Sequence, residues 1–137
     1  MGEAENIAFV RRMFDDWNAR RPMGPEILDP EVQWDQRNHP MPDLQRVYHG
    51  RDAVGEFWVQ WVAAWSDITA DICWIRALGD RVIAWVDMRV VGKESGLEFV
   101  HSYAWDITFL NGRYTRVAYI NDEEQARATL GPGAVGE

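Results

Sequence analysis

Apolar and polar residues have two different periodicities along this chain, helical spacing in the first half and alternation in the second half. From Glu5 to Arg20, apolar side chains recur at helical spacing with charged side chains opposite them, which predicts an amphipathic first helix. Its apolar positions are Ile7, Val10, Met13, Phe14 and Trp17. Proline and glycine then interrupt the pattern, so we expect a short helical turn around 26–28 and a short strand over 32–36.

A second long helix is predicted from Asp52 to about Ser66, because aspartate is a common N-cap residue. Glu56 and Gln60 fall on its polar side, and its apolar residues share one stripe. That stripe consists of Val54, Phe57, Trp58, Trp61 and Trp65. We interpret the three tryptophans mainly as side chains packed between this helix and a sheet.

The second half of the chain predicts an antiparallel meander, with turns at Gly79-Asp80, 92–96 and Asn111-Gly112. The four β segments cover 68–78, 81–92, 96–110 and 113–121. A short helix over 122–130 and a flexible tail over 131–137 follow, so that 1–130 forms a single domain. Segregated helices and antiparallel strands indicate an α+β fold in which the curved sheet closes into a cone beneath the helices.

Strand parity predicts which side chains line this cone. One face of the third β segment carries Phe99, His101, Tyr103, Trp105, Ile107 and Phe109, and the matching face of the neighbouring segment carries Val82, Ala84, Val86 and Met88. We expect Trp85, Asp87 and Arg89 on the outside, where Asp87, Arg89 and Asp106 form cross-strand charge pairs. An outward Trp85 would suit a contact between two copies of the chain.

Composition narrows the classes of function. A net charge of −8 and a pI near 4.8, with the arginines scattered, argue against nucleic acid as a partner. No apolar run reaches the roughly 18 residues of a membrane helix, and the first residues do not resemble a secretory signal, so we expect no membrane partner and a cytoplasmic protein. Cys73 is expected in the core, and the three histidines lack a metal-ligand spacing, so neither a metal nor a cofactor is expected.

Several short motifs, in their order along the chain, resemble the SnoaL-like branch of the nuclear transport factor 2-like superfamily. They are Val32-Gln33-Trp34-Asp35, Tyr48-His49-Gly50-Arg51-Asp52-Ala53-Val54, Gly79-Asp80-Arg81-Val82-Ile83, Ser95-Gly96-Leu97-Glu98, Asn111-Gly112-Arg113 and Tyr119-Ile120-Asn121-Asp122. The resemblance covers nearly the whole chain. It implies a cone-shaped α+β barrel with a pocket and, by analogy with similar proteins, a homodimer.

The resemblance also implies candidate catalytic residues. Asp35 corresponds in region to the general base of ketosteroid isomerases, and a buried carboxylate there would have a raised pKa. Strand parity offers the opposite placement, in which Val32 and Trp34 point inward and Asp35 points outward. His101 and Tyr103 are the other candidates, either as a proton donor and an orienting group or as a buried pair satisfied by its neighbours.

Two departures from the family pattern limit the activities that the resemblance implies. Trp105 stands where ketosteroid isomerases present an acid, and Val86, Met88 and Tyr119 occupy the inner positions of the Asp–Arg–Asp set of limonene-type epoxide hydrolases. The candidate ligand-binding residues are Trp17, Trp34, Trp58, Trp61, Val86, Met88, Trp105, Tyr119 and Asn121.

Two classes of function stay open from the sequence. One is a pocket for a small hydrophobic molecule, with cofactor-independent isomerase, cyclase or dehydratase chemistry. The other is a non-catalytic homodimeric module for binding or assembly, whose pocket is closed by its own aromatic side chains.

Overall fold

The computed structural model describes residues 2–21, 24–39 and 41–136, which form three helices and a curved mixed sheet of seven strands. The helices are α1 (Glu3–Asn18), α2 (Arg51–Ala63) and α3 (Glu123–Thr129), with 3-10 turns at Pro25–Ile27 and Pro42–Leu44. The strands are β1 (Leu28–Asp35), β2 (Val47–His49), β3 (Trp65–Leu78), β4 (Arg81–Gly92), β5 (Glu98–Leu110), β6 (Arg113–Ile120) and β7 (Val135–Gly136). The predicted α+β class is confirmed.

The sheet runs in the order β2-β1-β6-β5-β4-β3-β7. β3 to β6 form the predicted antiparallel meander, and β1 adds to its far edge in parallel with β6, so that Trp34 lies beside Val117. Because β1 is separated from β6 by most of the chain, this pairing brings the first half of the sequence onto the concave face of the sheet.

The concave face holds the main core, as strand parity predicts. Met88 on β4 pairs with His101 on β5, and Ala84 pairs with Trp105. Side chains of α1 and α2 cover this face; Val10 and Val54 are completely buried there. The position of α1 and α2 above the sheet therefore decides how much space is left inside.

A second, smaller core lies on the convex face under α3. Trp85 is on the outside as predicted, but it is only 9% exposed, because it stacks on Trp74 and lies under Ala126 and Leu130. The expectation that Trp85 offers a free surface for a dimer contact is therefore wrong. The last helix covers the ring within one copy of the chain.

Both ends of α2 differ from the prediction. Gly50, not Asp52, is the N-cap, and its φ of 88° is a conformation that favours glycine. The helix ends at Ala63, so Trp65 belongs to the start of β3. Helical spacing alone assigned Trp65 to the helix because an i, i+4 step from Trp61 fits a helix whether or not the helix continues.

Val135–Gly136 pairs with β3 at Arg76 and Ala77, while the flexibility of the tail over 131–137 stays a prediction. A further expectation is corrected. Cys73 is exposed beside a register shift in β3 and is not a core thiol. Within the part of the chain that the structure describes, no helix is long and apolar enough to span a membrane.

Candidate functional site

A cavity of about 940 Å³ opens between α1, α2 and the segment 24–28. Its floor is formed by the sheet, through Trp34, Met88 and Trp105, while α1 contributes Met13, Phe14 and Trp17. α2 contributes the largest share of the lining, from both its inner side and its exposed side. Its described lining residues are Arg51, Gly55, Glu56, Trp58, Val59, Gln60, Val62 and Ala63.

Four tryptophans build the aromatic wall of this cavity. The ring of Trp58 lies 4.9 Å from that of Trp17, 5.5 Å from Trp34 and 6.0 Å from Trp105, measured between ring centroids. Trp34 and Trp105 meet edge to face at 5.4 Å. These are the separations of favourable aromatic pairs, so each ring is held in place by the others.

The mouth of the cavity lies along α2. Val59 is 72% exposed, and Glu56 and Gln60 are also exposed. A Cβ added to Gly55 would meet no heavy atom within 4 Å, so the cavity wall is open at this position. Of the described lining residues, only Arg51 and Glu56 are ionisable, and both come from α2.

A group of polar rings lies behind the aromatic wall and does not line the cavity. The rings of His101 and Tyr103 stack at 5.3 Å, and Tyr103 lies 4.8 Å from Tyr119. Tyr119 in turn accepts a hydrogen bond from Nε1 of Trp34, at 3.2 Å. Trp34 is thus the link between the polar group and the cavity.

These interior groups are uncharged at neutral pH. Burial, with a smaller contribution from the nearby His101, lowers the pKa of His39 to about 4. Burial also lowers the pKa of His101, and it raises the pKa values of Tyr103 and Tyr119 well above the usual range. His39 Nδ1 accepts a hydrogen bond from the Met41 amide at 3.0 Å, so the neutral ring carries its proton on Nε2.

Asp35 lies on the convex side of β1, the placement that strand parity offered as the alternative. Trp34 points inward, and Gln36 is completely buried. The Asp35 carboxylate accepts hydrogen bonds from the Arg37 guanidinium, down to 2.6 Å, and from Arg116 at 3.3 Å. The hydrogen bonds from Arg37 hold the pKa of Asp35 below its usual value, so the expected raised pKa is wrong.

The other predicted site residues divide into two groups. Trp17, Trp34, Trp58, Met88 and Trp105 line the cavity; Trp61, Val86, Tyr119 and Asn121 do not. Trp61 packs instead on His39 at 5.6 Å, Val86 is buried in the core, and the Asn121 side chain donates to the Asn38 carbonyl. That any of these residues touches a ligand stays a prediction.

The sequence reasoning missed several cavity residues for which signals existed. Met13 and Phe14 belong to the same apolar stripe of α1 as Trp17, but only Trp17 was predicted to bind a ligand. Gly55 interrupts an otherwise good helix, although glycine there costs about 1 kcal/mol relative to alanine. Arg51 stands within one of the quoted motifs, but only the folded chain brings it to Leu28 and the cavity.

Among the described residues, no three His, Cys, Asp or Glu side chains lie close enough together to hold a metal ion. The charged groups on the convex face are instead paired across strands. Arg81 bonds Asp106 at 2.6 Å, and Ser102 donates to Asp87.

Comparisons with known proteins agree with this architecture. TerC, crystallised with polyporic acid, is 19% identical, with a TM-score of 0.68 over 91% of this chain and 96% of that one. A candidate SnoaL-like polyketide cyclase from Jannaschia sp. CCS1 is 16% identical, with a TM-score of 0.72 over 93% and 92%. A Catenulispora acidiphila protein with a ketosteroid isomerase-like fold, in complex with trimethylamine, is 12% identical, with a TM-score of 0.67 over 90% and 92%.

At these identities the solved structures show a shared fold. No curated protein matches the chain. The model of the SnoaL-like domain family matches residues 10–117, which include the second half of α1, the described residues that line the cavity and most of the sheet. The chain therefore belongs to the SnoaL-like domain family, with the fold called NTF2-like.

Proposed function

We propose that this protein binds a planar, largely apolar small molecule in the cavity between α1 and α2. The observation that carries the proposal is the cavity itself, about 940 Å³ in volume and walled by four tryptophans. Ligand sites typically measure roughly 300–1,000 Å³ and are lined by apolar and aromatic side chains with few polar groups. Flat aromatic walls favour a ligand with flat faces.

A further observation supports binding. The cavity beside the four tryptophans is open along α2, where Gly55, Glu56 and Val59 are exposed, which argues against the interpretation as a pocket closed by its own side chains. The rings of Tyr103 and Tyr119, which contact each other, do not line it.

The proposal is for binding, and catalysis is a separate hypothesis. We do not include Asp35 among the candidate catalytic residues, because its carboxylate lies on the convex face in ion pairs with Arg37 and Arg116. Roles for His101 and Tyr103 in an isomerase, cyclase or dehydratase reaction stay predictions, since neither ring lines the cavity. Turnover that survives in His101→Gln would remove His101 from that hypothesis.

A fluorescence titration with the neutral probe anthracene-2-carboxamide tests the binding proposal. Trp58→Leu removes the ring at the centre of the aromatic wall, whereas Trp74→Leu removes a comparable ring from the convex face. We expect Trp58→Leu to weaken probe binding about tenfold or more and Trp74→Leu to leave it within about twofold, although both lower stability. No binding to the wild type, or equal losses in the two variants, would contradict the proposal.

The homodimer stays a prediction as well. Trp85 cannot carry it, but Leu97, Phe99 and Val100 at the β4–β5 hairpin end are 51% to 63% exposed and would suit a contact between copies. Sedimentation at micromolar concentration gives the mass directly. A monomer mass would end this hypothesis without affecting the cavity.

A further inference from the structure

Arg51 is the one positively charged residue among the described residues that line the cavity. It is the first residue of α2, and its Nε and one Nη donate to the Leu28 carbonyl, with Nε at 3.1 Å. These bonds fix the guanidinium against the start of β1. The side chain is thus held in one position at the cavity wall.

The charge of Arg51 has no carboxylate partner within 4 Å among residues 2–21, 24–39 and 41–136, and its second terminal amino group, Nη1, makes no hydrogen bond to them. Other arginines of this chain behave differently: Arg37 and Arg81 each bond an aspartate at 2.6 Å. A guanidinium offers five N–H donors, of which Leu28 occupies two. An unused fork of donors beside an apolar wall is suited to an anionic oxygen.

We propose that Arg51 anchors an acidic group of the ligand, so that the cavity takes planar apolar molecules that carry one carboxylate or enolate at one end. This inference rests on the binding function proposed above. The apolar body would lie along α2 from Gly55 to Val62, a distance of about 10 Å along the helix axis at about 1.5 Å per residue. That length suits a ligand of about three fused rings.

The charges around Arg51 favour this assignment. The N-terminal end of α2, where Arg51 stands, carries the positive end of the helix dipole. Glu56 is the only described acidic residue of the lining, but it lies about 140° further round the helix and is exposed. Because the whole chain has a net charge of −8, an acidic ligand needs a local cation of this kind to be held.

The test compares two probes of nearly equal shape, anthracene-2-carboxylate and anthracene-2-carboxamide, at pH 7.5. We expect the wild type to bind the carboxylate about tenfold more tightly than the amide, as for a charge-assisted hydrogen bond at a partly exposed site. Arg51→Gln should bring this ratio close to one, whatever the loss of affinity that the two probes share. Arg51→Lys should keep part of the preference.

Arg51 also bonds the Leu28 carbonyl, so that Arg51→Gln could disturb the fold. A second variant, which leaves these bonds intact, keeps the proposal testable in that case. Glu56→Gln removes the opposing negative charge at an exposed position, and we expect it to raise the preference for the carboxylate about twofold. If both probes bind equally well to the wild type, or the ratio does not change in Arg51→Gln and Glu56→Gln, the anchor is refuted and the cavity function stands. If neither probe binds, both proposals fail.

Discussion

Nε1 of Trp34 donates a hydrogen bond to the hydroxyl of Tyr119 over 3.2 Å, and both side chains are buried. Trp34 belongs to the cavity wall, while Tyr119 belongs to the polar group behind it. The bond fixes the plane of the Trp34 indole, on which the edge-to-face contacts with Trp58 and Trp105 depend. The shape of the cavity is therefore set by a contact outside it.

Removal of this contact should be costly. Tyr119→Phe leaves the Trp34 N–H buried without a partner, and we expect a loss of about 1–2 kcal/mol in the free energy of unfolding. Tyr114→Phe is the matched control, because the partner of the Tyr114 hydroxyl among the described residues is the Met13 sulfur, a weak acceptor, at 3.1 Å. Urea denaturation should show a loss at least twice as large for Tyr119→Phe; an equal or smaller loss would contradict the role of the bond.

Asp35→Asn should separate stability from binding. The amide keeps the shape of the side chain but loses the ion pairs with Arg37 and Arg116, which we expect to cost about 1 kcal/mol. Because the folded-state pKa of Asp35 is lowered, this contribution is present above the unfolded pKa and is lost as the pH falls. Probe affinity should stay within about twofold, and a tenfold loss would place Asp35 at the site after all.

The pH dependence of stability should report on His39. Its pKa is about 4 in the folded protein, below the ordinary 6.5, so the unfolded chain takes up a proton first as the pH falls. The contribution of His39 to stability should therefore be complete above about pH 6.5 and fall by on the order of 3 kcal/mol toward pH 4, because the ring is buried and each pKa unit is worth about 1.4 kcal/mol.

His39→Asn retains an acceptor for the Met41 amide and should flatten this part of the profile, since the titrating ring is gone. His49→Asn, at an exposed position on β2, is the control. Urea denaturation between pH 4 and pH 8 measures the free energy of unfolding of both variants and of the wild type. An unchanged slope in His39→Asn, or an equal change in His49→Asn, would assign the effect to other groups.

The sheet could be predicted well from the sequence because its pattern is local. The alternation in β5 placed Tyr103 and Trp105 inside and Asp106 outside, and Asn111-Gly112 marked the turn to β6, although the register shifts by one residue between Thr108 and Phe109. The pairing of β1 with β6 is parallel and joins distant parts of the chain, so no local sequence pattern predicts it. β2 and β7, at the two edges, are too short to give a periodic signal.

The site was harder to predict than the fold. Parity correctly identified inner faces, but the inner face of a sheet is not the same as the wall of a cavity. His101 and Val86 face inward without lining the cavity, whereas Met88 and Trp105 face inward and line it, and the difference is set by where α1 and α2 pass above them. The position of α1 and α2 above the sheet depends on the whole fold and cannot be predicted from any single segment of the sequence.

The most direct test of the cavity as a binding site is to fill it from Gly55 and measure the affinity for anthracene-2-carboxamide. Gly55→Ala is the control, since it adds helix propensity worth about 1 kcal/mol while a lone Cβ meets nothing within 4 Å. Gly55→Leu extends a branched side chain at the cavity wall. We predict that both variants fold at least as stably as the wild type, that the alanine variant binds within about twofold, and that the leucine variant binds at least about tenfold more weakly. Equal affinity in all three proteins would contradict the assignment of this cavity as the binding site.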